Sequence, residues 1–111
     1  MASGLKGSIK PTGGTPDLSS NYSLFTPSAT TTVIVSVCNQ ATAADTVRIA
    51  VSSASPGPGN PIPAEDFIEF DYSLAANSAY ERTGIVVATG QAIYCGSANG
   101  TVSFVAYGLE S

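Results

Sequence analysis

The stretch "GQAIYCGSANGTVSFVAYGLES" (90–111) contains two short apolar segments separated by a turn. Both segments are strand-sized and rich in apolar residues, which is typical of β-strands. The Asn99-Gly100 step between them suits a tight two-residue turn, because both residue types tolerate a positive φ. We therefore expect a closing hairpin in which Ile93 pairs with Val102 or Phe104.

Strand-like segments with the same character recur upstream at intervals of ten to fifteen residues. They are "NYSLF" (21–25), "TTTVIVSVCN" (30–39), "DTVRIAVSS" (45–53), "EDFIEFDYSL" (65–74), "SAYERTGIVVA" (78–88), "QAIYCGS" (91–97) and "TVSFVAYGL" (101–109). No segment shows helical periodicity over three turns. Six or seven short strands with turn residues between them predict an all-β domain over 19–111, an antiparallel β-sandwich of immunoglobulin-like or jelly-roll-like type.

Alternation within the central segments also predicts which side chains face the core. The predicted inward-facing residues are Val33, Val35, Val37, Val47, Ile49 and Val51. On the segment 65–74, Ile68, Phe70, Tyr72 and Leu74 would form one apolar face. A core built from two facing sheets follows from this pattern.

Residues 1–18 have a different composition. They hold four glycines, two prolines and both lysines, with few sizeable aliphatic residues. Such a segment predicts an extended N-terminal arm that orders against a neighbouring molecule. The candidate arm contacts are Leu5, Lys6, Ile9, Lys10 and Leu18.

The connection "SSASPGPGNPIPAED" (52–66) is the second unusual segment. Its proline density excludes regular strand pairing and favours an extended, semi-rigid loop. Two interpretations remain open: a projecting loop that contacts a neighbour, and a long crossover between the sheets. The candidate contacts in the first case are Pro56, Pro58, Pro61, Ile62 and Pro63.

Charge is scarce in this chain of 111 residues. Charged residues make up 11% of the sequence, well under the roughly 25% of an average domain, and the net charge is −4. Lys6, Lys10, Arg48 and Arg82 are too few to neutralise many phosphates, so we expect no nucleic-acid partner. A surface rich in Ser, Thr, Asn and Gly instead suits packing against other proteins.

No segment predicts membrane insertion or secretion. The apolar runs are strand-sized, far short of the roughly 18 to 20 residues of a membrane span. The opening "MASGLKGSIKPTGG" has no apolar stretch after its charges, so we expect no secretory signal and synthesis in a cytoplasm. Reduced cysteines would follow from that compartment.

Enzymatic chemistry has little support in the sequence. The chain has no His, which excludes Ser-His and Cys-His nucleophilic arrangements. Two cysteines without histidine also exclude the usual structural zinc sites. We therefore predict that the protein is not an enzyme and holds no metal or cofactor.

Three carboxylates form the only acidic pattern that could carry chemistry. Glu65, Glu69 and Asp71 would lie on one face of a strand, at about 7 Å per two residues. A solvated or intersubunit face is the favoured interpretation; a calcium site or a glycosidase pair are the alternatives. Cys38 and Cys95 are interpreted as two small buried residues, with an immunoglobulin-like inter-sheet disulfide as the alternative.

Two segments together support a family resemblance. The run "AANSAYERTGIVVATGQAIYCGSANGTVSFVAYGLE" (75–110) resembles the C-terminal half of small virion structural proteins of tailed bacteriophages. Its features are the Ala-Asn-Ser step, the Ala-x-Gly-x-x-Ile-Tyr segment and the short turn before Val-x-Phe. The run "SATTTVIVSVCNQATAADTVRIAVS" (28–52) is similar in character: a hairpin whose loop follows "VCN".

The resemblance implies a β-sandwich that decorates or cements a capsid, commonly as a trimer or ring. A neck, tail or fibre component of the virion is the alternative, and the partners are then the major capsid protein or the neck and tail proteins. A third hypothesis is a carbohydrate-binding adhesive module that presents the carboxylates and tyrosines to a glycan. The expected location is the virion, after synthesis in the host cytoplasm.

Overall fold

The computed structural model describes residues 3–11, 23–53 and 62–110, and this part of the chain is all-β. Its strands are β1 (Ser3–Ile9), β2 (Ser23–Phe25), β3 (Thr31–Asn39), β4 (Asp45–Ser52), β5 (Phe67–Leu74), β6 (Ala79–Val87), β7 (Ala92–Ser97) and β8 (Val102–Glu110). A single 3-10 turn, Ala64–Asp66, precedes β5. The seven segments predicted from the sequence match β2 to β8 to within two residues at each end.

The eight strands of the described residues form two antiparallel sheets of four. The order in the first sheet is β1-β8-β3-β6, and the order in the second is β2-β7-β4-β5. Among consecutive strands, only β4 and β5 are paired in one sheet; every other connection passes from one sheet to the other. Apart from β4 and β5, the strands that are neighbours in a sheet are therefore distant in sequence.

The core lies between the sheets and takes residues from both. It contains Leu24, Val33, Val35, Val37, Val47, Ile49, Leu74, Ile85, Val87, Ile93, Cys95, Val102, Phe104 and Ala106. On β3, burial alternates as predicted, with Val33, Val35 and Val37 inside. The β-branched residues fit this pleated, half-buried surface and make β3 a strong strand.

The closing hairpin predicted at 90–111 is wrong, because β7 and β8 belong to different sheets. Ile93 and Phe104 both reach the core, but from opposite layers. A type I′ hairpin turn needs a positive φ at both central residues. Here only Gly100 of the Asn-Gly pair has one, at 73°. The turn "SANG" instead begins a crossover, and the hairpin expected after "VCN" is a crossover as well, since β3 and β4 also lie in different sheets.

The structure also differs from the predicted arm at residues 3–9. They form β1, which pairs with β8 of the same chain and extends the first sheet. Gly7 has a packing role in this strand. A Cβ at this position would lie 2.2 Å from the carbonyl oxygen of Leu24, so no other residue fits without moving the backbone. The glycine allows β1 to approach β2 closely, a use of glycine that composition alone does not reveal. Leu18 lies outside the described residues.

Candidate assembly surface

Polar side chains are most concentrated at one end of the molecule, where three crossovers meet. Asn39 is buried, and its Nδ2 donates to the carbonyl oxygens of Ala43, Leu74 and Ala75 at 3.0 to 3.2 Å. Its Oδ1 accepts from the backbone N–H of Ala41. One side chain thus links the β3–β4 and β5–β6 connections.

Asp45 ties the third crossover to the same end. Its carboxylate accepts from the Thr101 hydroxyl at 2.9 Å and from the backbone N–H groups of Thr46, Asn99 and Thr101. Burial alone would raise the pKa of Asp45, but these hydrogen bonds outweigh it and hold the pKa below its usual value. The polar atoms of Asn39 and Asp45 bond to groups of the same chain. We infer that they hold the connections between the sheets in place.

Two β-bulges on β5 separate the carboxylates that the sequence placed on one face. Val47 pairs with Tyr72 and Ile49 pairs with Glu69, which leaves Arg48 opposite both Phe70 and Asp71. Such an insertion breaks the two-residue alternation of a strand. The backbone of Asp71 has a φ of 57°, in the left-handed region. The single-face stripe of Glu65, Glu69 and Asp71 is therefore wrong.

The two residues of the bulge, Phe70 and Asp71, both contact the guanidinium of Arg48. Its guanidinium donates to both oxygens of Asp71, at 2.7 and 2.9 Å, and its Cζ lies 3.6 Å from the ring centroid of Phe70. Hydrogen bonding to Arg48 keeps the pKa of Asp71 below its usual value. Phe70 was predicted to face the core with Ile68, but it is 57% exposed and stacks on Arg48 instead.

Glu69 points across to the other sheet. It accepts from Arg82 on β6 at 2.7 Å and from the Tyr80 hydroxyl at 3.3 Å. The Tyr80 ring also packs on Tyr72, with centroids 4.9 Å apart. Burial, followed by the charge of Glu69, raises the pKa of Tyr80. This set closes the side of the molecule where β5 and β6 are the edge strands.

The third carboxylate, Glu65, is exposed in the 3-10 turn. Across residues 3–11, 23–53 and 62–110 there is no group of three or more acidic, Cys or His side chains arranged to hold a metal ion. Glu69 and Asp71 thus take part in separate contacts, with Arg82 and Arg48 respectively. Both arginines pair within their own chain.

The two cysteines have different environments and are not bonded to each other. Cys95 is buried in the core, as predicted, and burial raises the pKa of its thiol. Cys38 is half-buried on the opposite side of β3 from the core, which the prediction of two buried cysteines missed.

The candidate contacts of the arm and the loop fall in several environments. Leu5 is 70% exposed, Lys6 pairs with Glu110 at 3.8 Å, Ile9 packs partly against the core, and Lys10 is exposed. In the loop, Ile62 is buried against Ala50, Phe67 and Tyr94, so this end of the loop lies back over the second sheet. Pro63 is exposed. Pro56, Pro58 and Pro61 lie outside the described residues.

In the described part of the chain, the first sheet presents a continuous surface with few charges on the side away from the core. We call it the outer face. Its residues by register are Ser3, Leu5 and Ser8 on β1, Ser103, Val105, Tyr107 and Leu109 on β8, Thr32, Ile34, Ser36 and Cys38 on β3, and Ala79, Glu81 and Val86 on β6.

Apolar side chains occupy one end of the outer face. Leu109, Thr32 and Val86 lie side by side on β8, β3 and β6, and Leu5, Tyr107 and Ile34 form the next row. Leu5, Val86 and Leu109 are 70%, 57% and 49% exposed. Single exposed aliphatic residues are common, but several of them close together on one sheet face mark an interaction surface.

The one charged residue of the outer face has a partner in the same chain. Glu81 on β6 accepts a hydrogen bond from the Tyr107 hydroxyl on β8. This bond raises the pKa of Tyr107. The neutral hydroxyl satisfies part of the hydrogen-bonding capacity of the carboxylate and leaves the single negative charge of Glu81 on the outer face.

The edges of both sheets are irregular in the described residues. The ladders of β1, β5 and β6 each contain a register shift, and β2 has only three residues. On β6 the shift coincides with Gly84, whose φ is 74°. Bulges and short edge strands hinder pairing with a strand of another molecule. Association through faces is therefore favoured over extension of a sheet.

The sequence contains a signal for the outer face. Its residues are the outward set of the same alternation that predicted the core, and Ile34, Val105, Tyr107 and Leu109 are large for solvent-facing positions. The strand order needed to join them into one surface was not evident from the sequence.

Comparison with known proteins leaves the family open. No family model, curated protein or solved structure matches the chain. Within the described ranges, no helix is long and apolar enough to cross a membrane.

Proposed function

We propose that the protein is a structural subunit of a bacteriophage virion and that its outer face contacts another subunit of the particle. The observation that carries this proposal is the group of exposed aliphatic side chains at one end of the outer face, Leu5, Val86 and Leu109, on a face whose register positions include one charged residue, Glu81. A rigid, weakly charged surface of this kind is suited to permanent packing.

The proposed fold type is a jelly roll. The orders β1-β8-β3-β6 and β2-β7-β4-β5, with nearly every connection crossing between sheets, support it. Jelly rolls with eight strands in two sheets occur in viral capsid proteins and in lectins. Because one fold serves many functions, this likeness adds to the proposal without carrying it.

Head decoration is the preferred role within the virion, and the resemblance of 75–110 and 28–52 to phage structural proteins supports it. The role needs no catalytic residue, metal or cofactor. The polar clusters around Asn39 and Glu69 fit this role because they stabilise the domain itself.

The test is immunogold electron microscopy on virions from the source, using antibody raised against the recombinant domain. Label distributed over the capsids is the expected result. Label confined to the neck, tail or fibres would show that the protein is a component of those parts and does not decorate the head.

Particles without label, alongside a positive control antibody that labels them, would overturn the proposal. A glycan array would then test binding through the exposed rings of Phe70 and Tyr72 on β5.

A further inference from the structure

The outer face has dimensions that suit a partner of the same kind. Four strands at about 4.8 Å spacing, with about 3.3 Å per residue along each, give a surface of roughly 20 by 25 Å. A standard interface covers about 800 Å² of accessible surface per partner, which is of the same order once side chains are included. The face is thus large enough for one stable contact.

Charge favours a second copy as the occupant. Each chain carries a net charge of −4, so copies repel one another over most of their surface. The outer face contributes only Glu81, which is bonded to Tyr107. Two copies that meet through this face bring little negative charge together.

The chemistry of the face is also complementary to itself. Ile34, Val86 and Val105 are β-branched, and Tyr107 and Leu109 lie beside them. Such surfaces pack face to face in two-layer β proteins, with sheets about 10 Å apart. Because the edges of both sheets are irregular, edge-to-edge pairing does not offer an equal alternative.

We propose that two copies of this chain associate through their outer faces, placing the Leu109, Thr32 and Val86 rows in a shared interface. This inference rests on the proposed function, since it names the partner that covers the outer face. The same patch is used by both copies, as in a two-fold symmetric contact.

Analytical ultracentrifugation of the full chain at rising concentration is the first test. The wild type is expected to sediment as more than one chain, and Val86→Glu is expected to raise the dissociation constant at least tenfold, because it buries an unpaired charge. Ser73→Glu is the matched control: it adds the same charge at an exposed position of β5 in the second sheet. Its association should equal that of the wild type.

A thiol reporter locates the contact. In a Cys38→Ser background, Thr32→Cys places a reactive group in the exposed row, and its alkylation should slow as the protein associates. Cys95 is buried and serves as an internal standard that reacts on unfolding.

A wild type that stays monomeric at all concentrations would overturn the inference. So would an oligomer in which Val86→Glu has no effect and Thr32→Cys stays reactive. If the isolated protein is monomeric but the antibody labels virions, the self-association is wrong and the proposed function still stands. Failure of the one is therefore distinguishable from failure of the other.

Discussion

Arg82 on β6 donates to the carboxylate of Glu69 on β5 at 2.7 Å, and this contact joins edge strands of the two different sheets. Tyr80 donates to the same carboxylate. The side of the molecule between β5 and β6 is therefore closed by a polar contact next to the aliphatic core.

The Glu69 contact predicts a measurable coupling. Glu69→Ala should lower the free energy of unfolding by about 1–2 kcal/mol, since two donors lose their acceptor. Arg82 is partly exposed, so its coupling to Glu69 in a double-mutant cycle should be only about 0.5–1 kcal/mol. Urea unfolding at pH 7 measures both quantities. Strict additivity of Glu69→Ala and Arg82→Ala would contradict the contact.

We expect Asp45→Ala to lower the free energy of unfolding more than Glu69→Ala does. Asp45→Ala removes the acceptor for the Thr101 hydroxyl and for three backbone N–H groups, and should cost about 2–4 kcal/mol. The exposed carboxylate of Glu65 provides the control: Glu65→Ala should change stability by about 0.5 kcal/mol or less. Equal effects of the two substitutions would refute the assigned role of Asp45.

The same carboxylate predicts a dependence on pH. The pKa of Asp45 is lower in the folded than in the unfolded protein, so its ionisation stabilises the fold above the unfolded value of about 3.9. This stabilisation is lost as the pH falls through the folded pKa. The stability difference between the wild type and Asp45→Ala should therefore shrink from pH 5 toward pH 2 in thermal melts. If the stability difference between the two proteins grew on acidification, the pKa of Asp45 could not be lowered in the folded protein, and this prediction would be wrong.

Alanine substitutions at two glycines should lower the free energy of unfolding by different amounts. A Cβ at Gly108 on β8 would lie 2.0 Å from the carbonyl oxygen of Thr32 on β3, so Gly108→Ala must displace backbone and should cost more than about 2 kcal/mol. Gly90 has a φ of 86° but open space around it, and Gly90→Ala should cost only about 1 kcal/mol of backbone strain. Denaturant unfolding of both variants tests the order; a milder effect at Gly108 would contradict the strand spacing.

The sequence predicted the strands well and their partners poorly. Alternation on β3 placed Val33, Val35 and Val37 correctly, because burial of one face acts residue by residue. The pairing of β7 and β8 with different sheets depends on contacts such as that of Asp45 with Thr101, which lie far apart in sequence. Local patterns do not carry that information.

The candidate site was harder to predict for a related reason. The bulges of β5 turn Phe70 outward and Glu69 toward the other sheet, the reverse of the predicted directions, and each bulge depends on the opposite strand β4. The outer face exists only because β1, β8, β3 and β6 are neighbours. Leu5, predicted as an assembly contact of the arm, is exposed, and the segment around it belongs to a strand of its own domain.

Incorporation of outer-face variants into virions tests the central claim most directly. Virions are assembled with the wild type, Val86→Glu or Ser73→Glu as the sole copy of the protein, purified, and analysed for bound protein, after thermal melts confirm that all three fold. The account predicts that the wild type and Ser73→Glu reach the same occupancy and that Val86→Glu falls at least tenfold. Equal incorporation of Val86→Glu would contradict an assembly role for the outer face.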